Sequence, residues 1–478
     1  MRRLSLLLLL IPPALTGCKV ASPASRMGEA GLAVPSLWSA TREARAGVDD
    51  DWVAHMGSAQ LKVLVAEALA YNPDLKIAAA RVDQARTLVK SALGVMRPSL
   101  EAESTGDRAQ RNFVGFPLPG AGNGVITTQS EQFGLNFTAN WELDVWGRYR
   151  AGAGAAVANA QSAEQDARAA RAAIAAQTAR AWFALLEANE QVDLAVDAIR
   201  ILEQTEDSLL QNFRTGAGAE MPNLSAQLRL ARSDVAAARA ARAQREEAQG
   251  QAARALEILL GRYPRGDRRR GERLPVLTAT PPAGLPSELL LRRPDILAAE
   301  RRFATQGMRQ KEARRAVWPS LKLTASAGAS SSALRDVLNS DFGIWSLGAR
   351  VFEPILSGGR IQAEITKRNA EEAEALAALQ KTVLAAFGEV ENALEAGQHL
   401  RIREDALAEA TRLASEADAA AREVFRGGAG DGGAAALTVL ASQQRVVQSR
   451  SALATIRRLR LDNRVALHLA LGGDFSAH

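Results

Sequence analysis

Between Gln132 and Phe213 the periodicity of the chain changes once, from two to seven. The segment opens QFGLNFTANWELDVWGR, where Phe133, Leu135, Phe137, Ala139 and Trp141 alternate with Gly134, Asn136, Thr138 and Asn140. That pattern is a strand with one apolar and one polar face. Beyond Trp146-Gly147, Leu185, Val192 and Ile199 recur every seven residues, as do Ala188, Ala195, Leu202 and Leu209. No proline falls between Gly147 and Phe213. The spacing predicts a single helix about 100 Å long, far beyond the globular average. Few architectures need a half-polar strand that runs straight into such a helix.

Composition supports an elongated, mainly helical chain. Of the 478 residues 47% are hydrophobic but only 5% are aromatic, so alanine carries much of the apolar content. Alanine suits long helices in close approach and fills a wide core poorly. The net charge of +6 is spread among acids, with one short basic run at Arg268-Arg269-Arg270, which reads as a solvated loop. No basic stripe interleaved with aromatics points to nucleic acid. The single cysteine and the four scattered histidines exclude a disulfide framework and offer no metal-ligand spacing.

The N-terminus reads as a targeting segment. Arg2-Arg3 precede the apolar run Leu4 to Ile11, and Leu15-Thr16-Gly17-Cys18 follows. The run is about half of the ~20 residues a membrane-spanning helix needs. The four-residue end resembles a bacterial lipobox, which implies cleavage before Cys18 and a diacylglycerol on its sulfur. Lys19, in place of aspartate, implies export to the outer membrane. Residues 19–57 read as an extended arm, and Asp49-Asp50-Asp51 within it reads as solvated.

The chain is written twice. Asn72-Pro73-Asp74-Leu75 matches Arg293-Pro294-Asp295-Ile296, and Arg97-Pro98-Ser99-Leu100 matches Trp318-Pro319-Ser320-Leu321. In both copies 25 residues separate the two prolines (98 − 73 and 319 − 294). Proline at the first turn opens a helix, and Pro-Ser-Leu starts a strand. Leu321, Leu323, Ala325 and Ala327 alternate with Lys322, Thr324, Ser326 and Gly328, whereas Leu100-Glu101-Ala102-Glu103 is a poorer strand. Loops are expected at about 106–130 and 329–341. A second strand follows each loop, with Trp345, Leu347, Ala349 and Val351 alternating in the second copy. The second long helix is expected from Arg360 to Phe425, with Leu376, Val383 and Val390 in heptad spacing, a coiled-coil seam. The long helices end alike, at Phe213-Arg214-Thr215-Gly216 and Phe425-Arg426-Gly427-Gly428, and a return helix follows each.

Each half thus supplies two strands. In lipid an open sheet leaves edge groups unsatisfied, and four strands cannot close, so a spanning chain must oligomerise. Two chains give eight strands and a filled interior; three give twelve and a lumen. Trp141, Trp146, Trp318 and Trp345 lie at or near strand ends, as an aromatic girdle requires, although packing between helix and strand would also place them there.

With these residues in view, the chain resembles the TolC-type outer-membrane efflux channels, in particular the lipidated OprM-like branch (RND efflux outer-membrane lipoproteins). The resemblance is carried by Asn72-Pro73-Asp74-Leu75, Ala80-Arg81-Val82, Pro98-Ser99-Leu100 and Trp141 to Arg148. In the second half it is carried by Arg292 to Ile296, Ala299 to Arg302, Pro319-Ser320-Leu321, Pro354-Ile355, Gly358-Gly359-Arg360 and Ala470 to Gly473. It covers residues 58–473. It implies a mainly α fold with a small β part: a long α-helical barrel plus four transmembrane strands per chain, completing a twelve-stranded β-barrel as a homotrimer. It also implies a periplasmic adaptor protein, an inner-membrane RND-type pump, outer-membrane lipid as surroundings, and no cofactor. An acidic ring often narrows the closed periplasmic tip in this family. Asp431 is the one acid between Phe425 and Ala436, so it takes that role, with Arg426, Arg214, Gly216 and Gly428 around it. Thr215, Glu220 and Gly430 are the implied adaptor contacts. The second tip, Gly427 to Ala434, is longer and richer in glycine than the family's usual turn, which affects the register of closure.

The expected organisation is a signal peptide at 1–17, a lipidated arm at 18–57, a first repeat at 58–262, a linker at 263–285, a second repeat at 286–473 and a tail at 474–478. The expected function is a passive exit duct that passes drugs or other small molecules, located in the outer membrane, anchored at Cys18, with its helical barrel in the periplasm. Metal-ion efflux or type I protein secretion on the same channel fold is an alternative, and a lipid-anchored periplasmic coiled-coil scaffold is another. No clustered nucleophile, Walker motif or metal set suggests an enzyme.

Overall fold

The computed structural model describes residues 20–40, 52–113, 126–215, 224–268, 272–277, 284, 286–426 and 432–473. The order of elements is α1 (Ala59–Tyr71), α2 (Pro73–Gly94), β1 (Ser99–Phe113), β2 (Ile126–Leu143), α3 (Arg148–Thr215) and α4 (Leu224–Leu259). It then repeats as α5 (Pro286–Arg292), α6 (Pro294–Arg315), β3 (Ser320–Ser331), β4 (Gly343–Phe352), α7 (Arg360–Arg426) and α8 (Gly432–Ala470). The long helices α3 and α7 have 68 and 67 residues.

Local chemistry sets these boundaries. Pro73 and Pro294 occupy the first positions of α2 and α6, where a missing N–H costs nothing. The Asn72 side chain accepts from Asp74 N at 2.8 Å, and its own amide donates to Leu259 O at 2.9 Å. Ser58 caps α1 by accepting from Leu61 N. Gly261 and Gly472 close the return helices in the left-handed region, both at φ 70°. The next amides, Arg262 N and Gly473 N, reach back to Glu257 O and His468 O, the six-to-one bond of a Schellman ending.

The structure corrects the strand expectations. β1 runs to Phe113 and β2 begins at Ile126, so much of the expected loop at 106–130 is paired strand. Its residues are polar on both faces, which erases the hydrophobic alternation that marks a strand. Two short helices, α1 and α5, also precede the proline-initiated ones.

The described chain falls into two compact units. One comprises residues 1–30, 82–163 and 299–379, and holds the sheet. Its buried side chains are mostly small: Ala151, Ala153, Ala155 and Ala158 at the start of α3, with Phe303 and Ala304 of α6. The helices approach so closely that a Cβ on Gly152 would stand 2.9 Å from Glu312 Oε1. The other unit comprises residues 31–81, 164–298 and 380–478. It holds an apolar cluster that includes Trp52, Leu61, Leu64, Trp182, Phe183, Leu256 and Leu461. The Trp182 indole donates to Ser58 Oγ at 3.0 Å inside it.

A second feature of that unit is a polar seam between α3 and α8. Glu187 accepts from Thr455 Oγ1 at 2.6 Å and from the Arg458 guanidinium. Gln191 accepts from Ser451 Oγ at 2.7 Å and donates to Ser451 O at 3.0 Å. Heptad positions Leu185, Val192 and Ile199 of α3 are buried, as are Val383 and Val390 of α7.

Candidate functional site: the amphipathic sheet and the helix tips

The four strands form one antiparallel sheet in the order β1-β2-β3-β4. Register fixes its two faces, because partners directly opposite share a face. One face carries Phe137 beside Ala327, Trp141 beside Leu323, and Leu321 beside Val351. On the same face Ala327 lies beside Trp345 and Ala325 beside Leu347. The other carries Thr138 beside Glu101, Asn136 beside Glu103, Asn140 beside Thr324, and Ser326 beside Ser346.

The apolar face is left open. Trp345 is 81% and Leu347 79% exposed, values that water would penalise and hydrocarbon would not. None of the described helices is long and apolar enough to cross a membrane. The exposed apolar sheet face is a surface suited to lipid. The polar face suits water. It carries Glu101, Glu103 and Asp107 on β1, with Lys322 and Arg350 paired side by side near the helical end. Glu142 sits 3.5 Å from Lys322 Nζ and 3.7 Å from Arg148. Sequence reasoning found the hydroxyls, Lys322 and Arg350 but did not place the acids of β1 on this face.

At the helical end of the sheet, Trp146 stacks on Trp318 with ring centroids 5.1 Å apart, and its indole donates to Pro319 O at 2.8 Å. Trp141 donates to Met96 O at 3.0 Å. These tryptophans pack strand ends against the turns that enter and leave them. Asp144 receives the backbone amides of Tyr149 and Arg150 at 3.0 and 2.8 Å and so orders the start of α3. Among the described residues, the two edges of the sheet, β1 and β4, have no partner strand.

At the other ends of the long helices, Leu209, Leu224, Leu228 and Ala231 form a small apolar cluster between α3 and α4. Arg232 and Arg239 bridge to Glu206 and Glu203 at 3.0 and 2.7 Å. Arg214 lies exposed in the last turn of α3, and Thr215 and Arg426 are the last residues of α3 and α7. Asp431, Gly216, Gly428, Glu220 and Gly430 lie outside the described residues, as do Cys18 and Asp49 to Asp51.

The described N-terminal arm is divided, residues 20–30 belonging to the first unit and 31–40 to the second. In the first, Arg26 lies 4.0 Å over the Phe303 ring and bonds Glu372 at 2.6 Å, while its backbone amide donates to Glu300 at 2.7 Å. In the second, Glu391 accepts from the amides of Ser39 and Ala40, and Trp38 is buried against Phe387.

An exposed apolar sheet face opposite a wet one, with two unsatisfied edges, defines one subunit of an oligomeric transmembrane barrel. The model of the outer membrane efflux protein family matches residues 64–262 and 285–473, and the chain belongs to that family. It is 28% identical to the cation efflux system protein CusC of Escherichia coli over 97% of both chains. It is 31% identical to the outer membrane protein OprJ of Pseudomonas aeruginosa, covering 88% of this chain and 86% of that one. Its fold matches the Campylobacter jejuni CmeC outer membrane channel with a TM-score of 0.81 at 23% identity, covering 96% and 94% of the two chains. The protein is an outer-membrane efflux channel with a TolC-like fold. Other solved structures that match this fold include the outer-membrane channel OprN and the Neisseria gonorrhoeae MtrE outer membrane channel.

Proposed function

We propose that three copies of this chain close a twelve-stranded barrel and serve as the exit duct of a tripartite pump for drugs or other small molecules. The observation that carries the reading is the amphipathic four-stranded sheet whose β1 and β4 edges are both open. Pairing β4 of one copy with β1 of the next satisfies both edges and turns every polar face inward. Residues 58–262 and 286–473 are then the two halves of a duplicated wall. A periplasmic adaptor and an RND-type inner-membrane pump supply the energy, since a duct of this kind only conducts.

The gate falls at the helix tips. Asp431 narrows the closed end, with Arg426, Arg214, Gly216 and Gly428 beside it, and the adaptor meets Thr215, Glu220 and Gly430. Cys18 carries a diacylglycerol anchor. Its support is that the chain's single cysteine directly follows Leu15-Thr16-Gly17. Palmitate incorporation that vanishes in Cys18→Ser tests the anchor. Undiminished incorporation would remove it.

Small-molecule cargo is supported by relatives named for pyoverdine export and toluene efflux, both 29% identical to this chain. Metal-ion efflux is the second reading, because the resemblance to the cation efflux protein CusC runs nearly end to end. Deleting the gene and measuring dye and antibiotic accumulation beside metal-cation tolerance separates the two. Conductance in planar bilayers, with native mass spectrometry of the detergent-extracted protein, tests the channel itself. A non-conducting monomer would overturn it.

A further inference from the structure

We propose that the outer part of the β1–β2 hairpin is a docking surface for the phosphorylated-sugar headgroups of an outer-leaflet glycolipid. The inference rests on the channel reading above, which makes the apolar sheet face the lipid-facing one.

The strands are unequal. β1 and β2 have 15 and 18 residues, whereas β3 and β4 have 12 and 10. A membrane-crossing strand needs about 9–11 residues, so β3 and β4 are close to the length a bilayer asks for. The β2–β3 register ends at Phe133 opposite Ser331. Beyond it β2 continues to Ile126, still paired with β1. From Phe133 to Thr127 the hairpin extends about 20 Å along the strand, past the top of its neighbours.

Face by face, the change is abrupt. On the lipid side, β2 reads Ala139, Phe137, Leu135 and Phe133, then Glu131, Gln129 and Thr127. β1 reads Leu100, Ala102, Ser104 and Gly106, then Arg108, Gln110 and Asn112 beside them. The column that faces hydrocarbon therefore passes without a turn into a column of amides, a hydroxyl, one carboxylate and one guanidinium. The surroundings directly above the outer hydrocarbon are headgroups, and this surface is continuous with the lipid-facing one.

Its chemistry fits a phosphorylated sugar. Gln129 donates to Gln110 and Thr127 to Asn112, each at 3.1 Å, which lays the amides flat in a ladder. Each amide keeps spare donors and acceptors for sugar hydroxyls. Arg108 meets Glu131 through Nε at 3.1 Å, and its side chain is 72% exposed. Its terminal nitrogens remain for a phosphate, which a planar guanidinium holds in bidentate fashion. The Arg–Glu pairing leaves no net charge, so recognition depends on hydrogen bonding at sugars as well as on phosphate.

The test uses the full-length protein purified in mild detergent, as wild type and as the triple variant Arg108→Ala, Gln110→Ala, Gln129→Ala. Purified lipopolysaccharide or phosphatidylglycerol is added, and thermal midpoint and lipid bound per channel are read by melting and native mass spectrometry. Wild type is expected to gain stability with lipopolysaccharide only, and the variant to bind it about tenfold more weakly. Both should conduct equally in phospholipid bilayers. Equal lipopolysaccharide binding by the two proteins, or the same gain from phosphatidylglycerol, would overturn the docking surface and leave the channel intact. A wild type that neither trimerises nor conducts would overturn the channel reading, and this proposal with it.

Discussion

Trp146 and Trp318 stack 5.1 Å apart, so the residue leaving β2 packs on the residue entering β3. The two come from different joints of the two repeats, Trp146 where strand gives way to helix in the first and Trp318 where helix gives way to strand in the second. Trp146 also donates to Pro319 O. Trp146→Ala is expected to cost about 1–2 kcal/mol, from the lost stack and the lost hydrogen bond. Trp146→Phe should recover the stacking part. Thermal melting of the detergent-solubilised protein checks the order wild type, Phe, Ala.

Gly261 ends α4 at φ 70°, and a Cβ there would stand 2.8 Å from Tyr71 O. Gly261→Ala therefore combines backbone strain with a steric conflict, and about 1–3 kcal/mol of destabilisation follows. The contrast is Gly348→Ala on β4, where a methyl meets nothing within 4 Å. That change should stay within about 0.5 kcal/mol. Equal melting temperatures for the two variants would show that the helix ending is not constrained.

Glu187 is the acceptor at the centre of the α3–α8 seam, only 16% exposed, and holds Thr455 and Arg458. Glu187→Ala removes one of the two carboxylates on the Arg458 guanidinium, which keeps Asp462, and leaves Thr455 without its acceptor, so it should cost about 1–3 kcal/mol. Glu409 bonds Arg412 at the surface of α7, and Glu409→Ala should leave the melting midpoint unmoved. Urea unfolding of the three proteins side by side gives the comparison.

Asp295 is pushed up by burial, but the Arg293 guanidinium at 2.6 Å outweighs this and holds its carboxyl below the usual range. A depressed folded pKa means stability that is complete above the unfolded value, near 3.9, and lost as pH falls through the folded one. As pH falls below about 4, the melting temperature should thus drop more steeply in wild type than in Asp295→Asn. Parallel slopes would show that the pair contributes nothing to acid stability.

On the gating role proposed for Asp431, Asp431→Ala is expected to raise single-channel conductance and weaken cation preference, since one fixed charge per subunit is lost. Unchanged traces would exclude Asp431 from the gate.

Much of this architecture was legible from residue order. Pro73 and Pro294 marked helix starts, Ser99 and Ser320 marked strand starts, and the heptads of α3 gave its length to within a few residues. The missed parts share a physical cause. The outer rungs of β1 and β2 lack an apolar face, so no period distinguishes them from loop. The short helices α1 and α5 are too brief for their pattern to stand out from the proline-initiated helix that follows each. The arm's anchors, such as Arg26 with Glu372, join residues 346 positions apart, and nothing local in either announces the other. The wet-face acids Glu101 and Glu103 were visible as letters, but their side of the sheet required the register.

The unpartnered edges of β1 and β4 also govern how such a chain reaches its final state. Among the described residues no strand pairs with either row of amides and carbonyls, so on the barrel reading they are satisfied only by neighbouring copies. Three copies must then meet for each ring, and measured stability should rise with protein concentration as mass action requires. Dilution, rather than heat, is the gentler way to take the ring apart.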